Sequence, residues 1–398
     1  VVFDGSLTLA ENLETLYLDG TGGWSGTGNA ARNLLVGNSG ANLLTGLDGA
    51  DTLMGGLGAD TLVGGAGNDI YLIDASDTVT EAAAGGTDTI QIETSYTLLA
   101  NFENLLLTGT QDVNGTGNEL ANTLTGNTGA NYLQGNDGND SLRGEDGADT
   151  LAGGAGDDLY IIDEFDVVIE SSGAGNDTVA ISTSYTLGSN VENLILLTNT
   201  DATGDGNALD NRLSGNAGNN TLTGYDGADI LIGNGGTDIL IGGDGNDTYE
   251  VDNLDTITEL TNGGVDLVKT EGDFILGDNL ENLTLTGKGN AEGTGNDLGN
   301  VLTGNEGTNT LTGLAGNDTL DGGKGADTLV GGEGNDSYIV DNAGDVVTED
   351  SDAGSDTVTS SVSITALFDG VETLILTGTG NLNATGNGLA NHITGTSG

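Results

Sequence analysis

The chain of 398 residues contains no cysteine and no proline, a single histidine, and six lysines and arginines against 62 aspartates and glutamates. The lack of cysteine removes disulfides as a stabiliser and fits export without oxidative folding. The scarcity of basic residues argues against nucleic acid as a partner, because phosphate binding needs basic clusters, and it disfavours anionic lipid for the same reason. No apolar run approaches the length that crosses a membrane, so no membrane insertion is expected, and no N-terminal signal pattern is visible. Catalytic constellations are missing as well. Arg32, Arg143, Arg212, Lys269, Lys288 and Lys324 are scattered, and His392 stands alone at a position expected to face solvent. There is no Gly-x-Ser-x-Gly, no His-Glu-x-x-His and no cysteine nucleophile, so the chain is read as having no enzymatic activity. Trp24 is unique, but one period later its place is taken by Val113, which points to packing rather than to a binding platform.

What the chain has is glycine, 73 of them, and negative charge, formally −56. Glycine this frequent without proline fits a chain that turns tightly and often. The charge makes the chain repel itself until cations arrive, which makes divalent cations its expected partners. The glycines are phased. A nine-residue unit, Gly-x-x-Gly-x-Asp-x-Leu-x, runs in blocks of five, starting at Gly28, Gly37, Gly46, Gly55 and Gly64 and again from Gly117, Gly206 and Gly295. Tyr71, Tyr160, Tyr249 and Tyr338 close the blocks and mark an 89-residue period. The repeats divide the chain into 1–27 (a partial repeat), 28–116, 117–205, 206–294, 295–385 and 386–398 (a truncated start). The chain begins and ends in mid-repeat, as a piece of a longer protein would.

Position eight of each unit is apolar between polar neighbours, as in Thr221-Leu222-Thr223. That is the pattern of a short strand with one inward side chain. Two units make a coil of about 18 residues. The second half of each period lacks the nonapeptide but alternates in a strand-like way, as in Asp77-Thr78-Val79-Thr80-Glu81 and Glu103-Asn104-Leu105-Leu106-Leu107. It is read as further coils of the same solenoid, about five per period, the alternative being a small separate β-sandwich. The expected fold is all-β, a right-handed parallel β-roll or β-solenoid with an 89-residue higher-order repeat. The fourth period is longer, with an insertion placed in a loop near Ala353 to Ala366.

In each unit glycine at positions one and four lets the backbone fold into a loop whose carbonyls turn inward, and the Asp at position six supplies charge. Calcium is hard and takes 6–8 oxygen ligands in irregular geometry, so such loops suit it. Loops on one side recur every 18 residues, and a cation between them would be shared by position-six residues that far apart. Asp51 pairs with Asp69, Asp140 with Asp158, Asp229 with Asp247, and Asp318 with Asp336, giving two carboxylates each. On the other side Asp60 meets Asn42, Asp149 meets Asn131, Asp238 meets Asn220, and Asp327 meets Asn309, giving one carboxylate and weaker binding. The first unit of each block has Asn at position six (Asn33, Asn122, Asn211, Asn300, Asn391) and no glycine at position four, which predicts a metal-poor loop with asparagines hydrogen-bonded along the solenoid. The second-half acids Asp74, Asp77, Glu81, Asp88 and Glu103 read either as strand-end caps and solvated edge charges or as further ligands.

The motif resembles that of the RTX, or hemolysin-type calcium-binding, repeat family, Gly-Gly-x-Gly-x-Asp-x-Leu-x, met in full at Gly55 to Val63 and at Gly322 to Val330. A nonapeptide of this kind is a unit of calcium-binding parallel β-helices, in which stacking on neighbours buries the apolar side chain that one unit cannot bury alone. The resemblance implies a parallel β-roll, type I secretion and folding on meeting extracellular calcium, with the chain secreted or held at the cell surface. The leading functional reading is a calcium-binding structural segment of an extracellular adhesin, surface-layer or matrix protein, in contact with flanking repeats or neighbouring copies. The alternatives are a secretion and folding module of a type I-secreted protease, lipase or epimerase, and an ice- or ligand-binding row of Thr.

Overall fold

The computed structural model describes residues 1–349 and 354–396. Every strand pairing it records is parallel, and no helix occurs among the described residues. The chain forms two compact units, Val1–Ser182 with Gly188–Asn193 and Thr183–Leu187 with Leu194–Gly398. The division falls inside the segment 117–205.

Each unit is a β-solenoid. In the first, one face is an unbroken ladder that runs from Val2–Phe3 through Leu34–Val36, Thr52–Met54, Ile70–Leu72, Thr89–Ile92 and Asn104–Leu107 to Thr178–Ile181. The opposite face is split into two five-stranded sheets, Leu7–Thr8 to Thr78–Thr80 and Tyr96–Thr97 to Val167–Val168. The second unit repeats the scheme, its broken face comprising Tyr185–Thr186 to Thr256–Thr258 and Phe274–Ile275 to Val346–Thr348. The second halves of the periods are therefore coils of the solenoid and not separate sandwiches. Their coils are uneven. From Leu35 the register steps to Leu53, Tyr71, Ile90, Leu105 and Leu124, so the coils take 18, 18, 19, 15 and 19 residues. The face breaks at the short coil, where Thr78–Thr80 and Tyr96–Thr97 fail to pair.

The extra length of the fourth period is split between two places. The turn from Asp341 to Asp345, closed by Asn342 N–H donating to Asp345 Oδ2 at 3.0 Å, is one residue longer than its counterpart from Asp252 to Asp255. A second residue enters between Ile364 and Leu367, since Ile364 pairs with Ala384 where Phe274 pairs with Gly293, while both coils resume the same register at Leu367 and Leu276. The expected single insertion near 353–366 is thus half right in place, and Ala353 itself lies outside the described residues.

The core is the column of position-eight side chains. Leu35, Leu44, Leu53, Leu62 and Tyr71 have no exposed surface, and the same holds in the blocks that start at Gly117, Gly206 and Gly295, whereas Ile393, at position eight of the truncated last block, is exposed. Burying each leucine contributes about 1.5–3 kcal/mol, so the stack supplies the hydrophobic drive that a thin fold otherwise lacks. Strands such as Asn104–Leu107 place two residues inside, Leu105 and Leu107. The strand facing them carries Gly115, and a Cβ there would lie 2.9 Å from Leu105 Cδ2. Gly26, Gly204 and Gly293 hold the equivalent places. Gly115→Val is expected to overpack this layer and cost about 1–3 kcal/mol, read as a lowered thermal midpoint in saturating calcium; an unchanged midpoint would show that the layer has room to spare.

Candidate metal centres

All twelve position-six aspartates are buried. Each is fixed in the same way, and each is left with the same unmet need. Oδ1 accepts the backbone N–H of the residue one coil earlier: Asn33 N to Asp51 Oδ1 at 2.7 Å, then Asp51 N to Asp69 Oδ1 at 2.7 Å. Asp140 and Asp158 are joined likewise at 2.7 Å, Asp229 and Asp247 at 2.8 Å, and Asp318 and Asp336 at 2.8 Å. On the other side Asn42 N meets Asp60 Oδ1, Asn131 N meets Asp149, and Asn220 N meets Asp238, each at 2.7 Å, and Asn309 N meets Asp327 at 2.8 Å. The expected partners are therefore neighbours. Oδ2 of all twelve is buried with no hydrogen-bond donor.

The loop glycines frame these free oxygens. Position one does not owe its glycine to backbone conformation, contrary to the expectation from sequence; the left-handed residues of the Gly55 unit are Gly56 at φ 94° and Gly58 at φ 121°. Position one is glycine for space. A Cβ on Gly46 would lie 2.2 Å from Asp51 Oδ2 and 2.6 Å from the carbonyl oxygen of Gly64, one coil on. Gly135 sits in the same way against Asp140 Oδ2 and the Gly153 carbonyl, and Gly224 against Asp229 Oδ2 and the Gly242 carbonyl. The cradle that a methyl group would fill is lined by a free carboxylate oxygen and a carbonyl oxygen. This donor set, all oxygen and anionic, fits calcium.

Burial pushes these carboxyls well above their usual range. Asp51, Asp60, Asp140, Asp238, Asp318 and Asp327 rise to about 6. Asp149, Asp158 and Asp229 rise to about 7, with neighbouring acids adding to the effect of burial. Asp69, Asp247 and Asp336 move in the same direction for the same cause.

The first loop of each block is built differently. Asn29 Oδ1 accepts Ala31 N–H at 2.9 Å, an Asx turn that replaces the position-four glycine, and Asn29 Nδ2 donates to the Ala10 and Leu13 carbonyls. Asn33 Oδ1 accepts Asn29 N–H, and its Nδ2 reaches the Leu13 carbonyl at 3.3 Å. Asn118 with Asn122 and Asn296 with Asn300 repeat the pattern. Amide hydrogens thus meet backbone carbonyls of the preceding coil; the asparagines bond along the solenoid, but to main chain and not to stacked asparagine side chains as the sequence suggested.

Two features escaped the sequence. The acids of the second half continue the position-six columns. Asp69 N donates to Asp88 Oδ1 at 2.7 Å and Asp88 N to Glu103 Oε2 at 2.8 Å. Asp88, Asp177, Asp266 and Asp356 are buried, and their Oδ2 atoms also lack donors, so the reading of them as solvated edge charges is corrected. On the other side Asp60 N donates to Asp77 Oδ1 at 2.9 Å, and the Oδ2 atoms of Asp60 and Asp77 both face Gly55. Asp149 and Asp238 meet Asp166 and Asp255 in the same way, so each of these aspartates faces an asparagine on the preceding coil and a second carboxylate on the following one. The available signal was an acid two residues before a buried apolar one, as in Asp88-Thr89-Ile90, which persists where the glycines do not. The second feature is the tyrosine that closes each block: the Tyr71 hydroxyl donates to Glu81. His392 is exposed, as expected.

A parallel solenoid with carboxylates and carbonyls facing one another from coil to coil defines a class of cation-binding repeat protein. The RTX calcium-binding nonapeptide repeat family matches residues 27–62, 36–71, 116–160, 205–240, 214–249 and 303–338. The nonapeptide blocks match RTX repeats in four places along the chain, which fits a tandem-repeat RTX protein. No curated protein matches it.

Proposed function

We propose that this chain is a structural segment of an extracellular adhesin, surface-layer or matrix protein, which folds and stiffens as calcium binds between its coils. The observation that carries the reading is the set of buried, donorless Oδ2 atoms on the twelve aspartates named above, each in a loop cradle that glycine keeps open. In the ionised state a buried, unpaired carboxylate costs several kcal/mol. A domain is stable by only about 5–15 kcal/mol in all, so even a few uncompensated carboxylates would exceed that margin. Calcium would offset the cost and tie adjacent coils together, with Asp51 and Asp69 and their equivalents as the principal ligands. A secreted chain of charge −56 would remain unfolded until it reached millimolar calcium, which suits passage through a narrow channel.

Asp51→Asn tests the reading, because it gives the third loop the side chain that the first loop has at Asn33. It is expected to lower the calcium bound per chain and to make the calcium-free chain easier to fold, since an amide has no charge to desolvate. Equilibrium dialysis measures the first effect, and the pH at which structure returns in chelator, expected to be higher in the variant, measures the second. An unchanged calcium count together with an unchanged or lower calcium-free stability would overturn the assignment. Single-molecule pulling addresses stiffness: rupture force is expected in calcium and smooth extension in chelator, and equal responses would remove the mechanical role.

A further inference from the structure

Where each nonapeptide block gives way to the longer coils, an acidic cluster recurs. One carboxylate oxygen from each of Asp69, Glu81 and Asp88 lies within 4.8 Å of the others. The trio returns as Asp158, Glu170 and Asp177, as Asp247, Glu259 and Asp266, and as Asp336, Glu349 and Asp356. Oxygens that share one calcium at about 2.4 Å cannot be farther apart than about 4.8 Å, so the spacing is that of a common ligand shell.

The cluster is built rather than incidental. Asp69 and Asp88 have no exposed surface, and Glu81 is buried too. Oδ1 of Asp69 is taken by Asp51 N–H and Oδ1 of Asp88 by Asp69 N–H, both at 2.7 Å. Their Oδ2 atoms are buried without a donor, as are those of all eight aspartates in the four clusters. Glu81 is held from two directions. Ala82 N–H donates to Oε1 at 2.8 Å, and the Tyr71 hydroxyl donates to Oε2. Gly64 N–H donates to the same hydroxyl at 2.7 Å, which directs the tyrosine proton at the glutamate. The Phe102 ring packs edge-on against Tyr71 with centroids 5.3 Å apart and fixes it. A Cβ on Gly64 would lie 2.2 Å from both Asp69 Oδ2 and the Tyr71 oxygen, so glycine leaves open the space in front of them. Among the described residues, no lysine or arginine pairs with these three acids.

Three carboxylates brought together out of water, two with an oxygen that no donor meets, require a cation. The donors are all oxygen, which selects a hard divalent ion, and the tolerance of calcium for irregular shells selects calcium over magnesium. We propose that Asp69, Glu81 and Asp88, with their three counterparts, form a second class of calcium site, one per 89-residue period. Two of its three ligands lie outside the nonapeptide motif. With three carboxylates against two or one between nonapeptide loops, it fills at the lowest calcium concentration. The inference rests on the calcium reading above and shares Asp69, Asp158, Asp247 and Asp336 with it, but it turns on Glu81, Asp88 and their counterparts, and the two can fail separately.

The test is calcium binding by the full chain and by the fourfold variant Glu81→Gln, Glu170→Gln, Glu259→Gln, Glu349→Gln, in which the amide oxygen still accepts from tyrosine. The wild-type chain is expected to show a tightest class of four equivalents, matching the four clusters. The variant is expected to bind that class about tenfold or more weakly, with the remaining equivalents unchanged. If the fourfold variant does not fold in calcium, Glu259→Gln alone lowers the tight class by one. Terbium gives an independent readout: its first equivalents on the wild-type chain are expected to show tyrosine-sensitised emission, reduced by Tyr249→Phe. A Glu→Gln chain that keeps its four tightest equivalents overturns this site and leaves the aspartate ladder standing. A loss confined to the Glu→Gln chain, with Asp51→Asn without effect, supports this site and overturns the ladder.

Discussion

Chelating calcium at pH 7.5 is expected to abolish the β-structure of this chain, and restoring calcium to rebuild it. The physical ground is the number of carboxylates that the fold hides. Each position-six aspartate and each of Asp88, Asp177, Asp266 and Asp356 carries a buried oxygen with no donor. The column of leucines has to outweigh both chain entropy and these desolvation costs, and without cations it cannot. Binding free energy is then folding free energy, and the transition should be cooperative within each unit. Far-UV circular dichroism with a measurement of hydrodynamic radius checks the outcome. Magnesium at the same concentration is expected to be a poor substitute, because it dehydrates reluctantly and demands a near-octahedral shell. A chain that keeps its β-signal and its compactness in excess chelator would sink the metal-coupled account.

The second large effect is that acid replaces calcium in part. Burial raises nine of the position-six aspartates to about 6 or 7, Asp69, Asp247 and Asp336 in the same direction, Asp88 and Asp177 to about 7, and Glu259 to about 8. In the unfolded chain the same groups titrate near about 4. A group whose folded value is raised stabilises the fold fully below its unfolded value and loses that contribution as pH rises through its folded value. In chelator the fold is therefore expected to be absent at pH 7.5 and to return as pH falls through about 7 to about 5, the range of the raised groups. Calcium affinity runs the opposite way, since protons compete for the same oxygens, and weakens over that range. Circular dichroism in chelator at several pH values decides the first point and calcium titration the second. A calcium-free chain more structured at pH 8 than at pH 5 would contradict the sign.

The fold was legible because each position-eight leucine repeats a single instruction: one inward side chain per three-residue strand. The twelve nonapeptide aspartates were legible for the same reason. What was not legible followed from coils that depart from 18 residues. Asp88 and Glu103 stand 19 and 15 residues from their partners, so a fixed spacing passes over them. Glu81 belongs to no column at all. It reaches the cluster through a detour in the chain after Thr78–Thr80, and only the tyrosine proton and the Ala82 N–H fix its direction. Position-one glycine was attributed to backbone freedom when it serves space, because the neighbour that would collide with its Cβ is a coil away and invisible in local sequence.

The uneven coils carry a rule about parity. The block from Gly28 to Leu72 contains five strands, Leu34–Val36 to Ile70–Leu72, and the segment that follows contains five more, Thr78–Thr80 to Asn114–Thr116. An odd number of strands leaves the chain on the side opposite to where it entered. Either half spliced out alone would deliver the next leucine to the wrong wall and turn its aspartate away from the column it should join. The two halves together restore the starting side, as does any other even number of strands, so arrays of this kind can change length by whole coils or whole periods but never by a single nonapeptide.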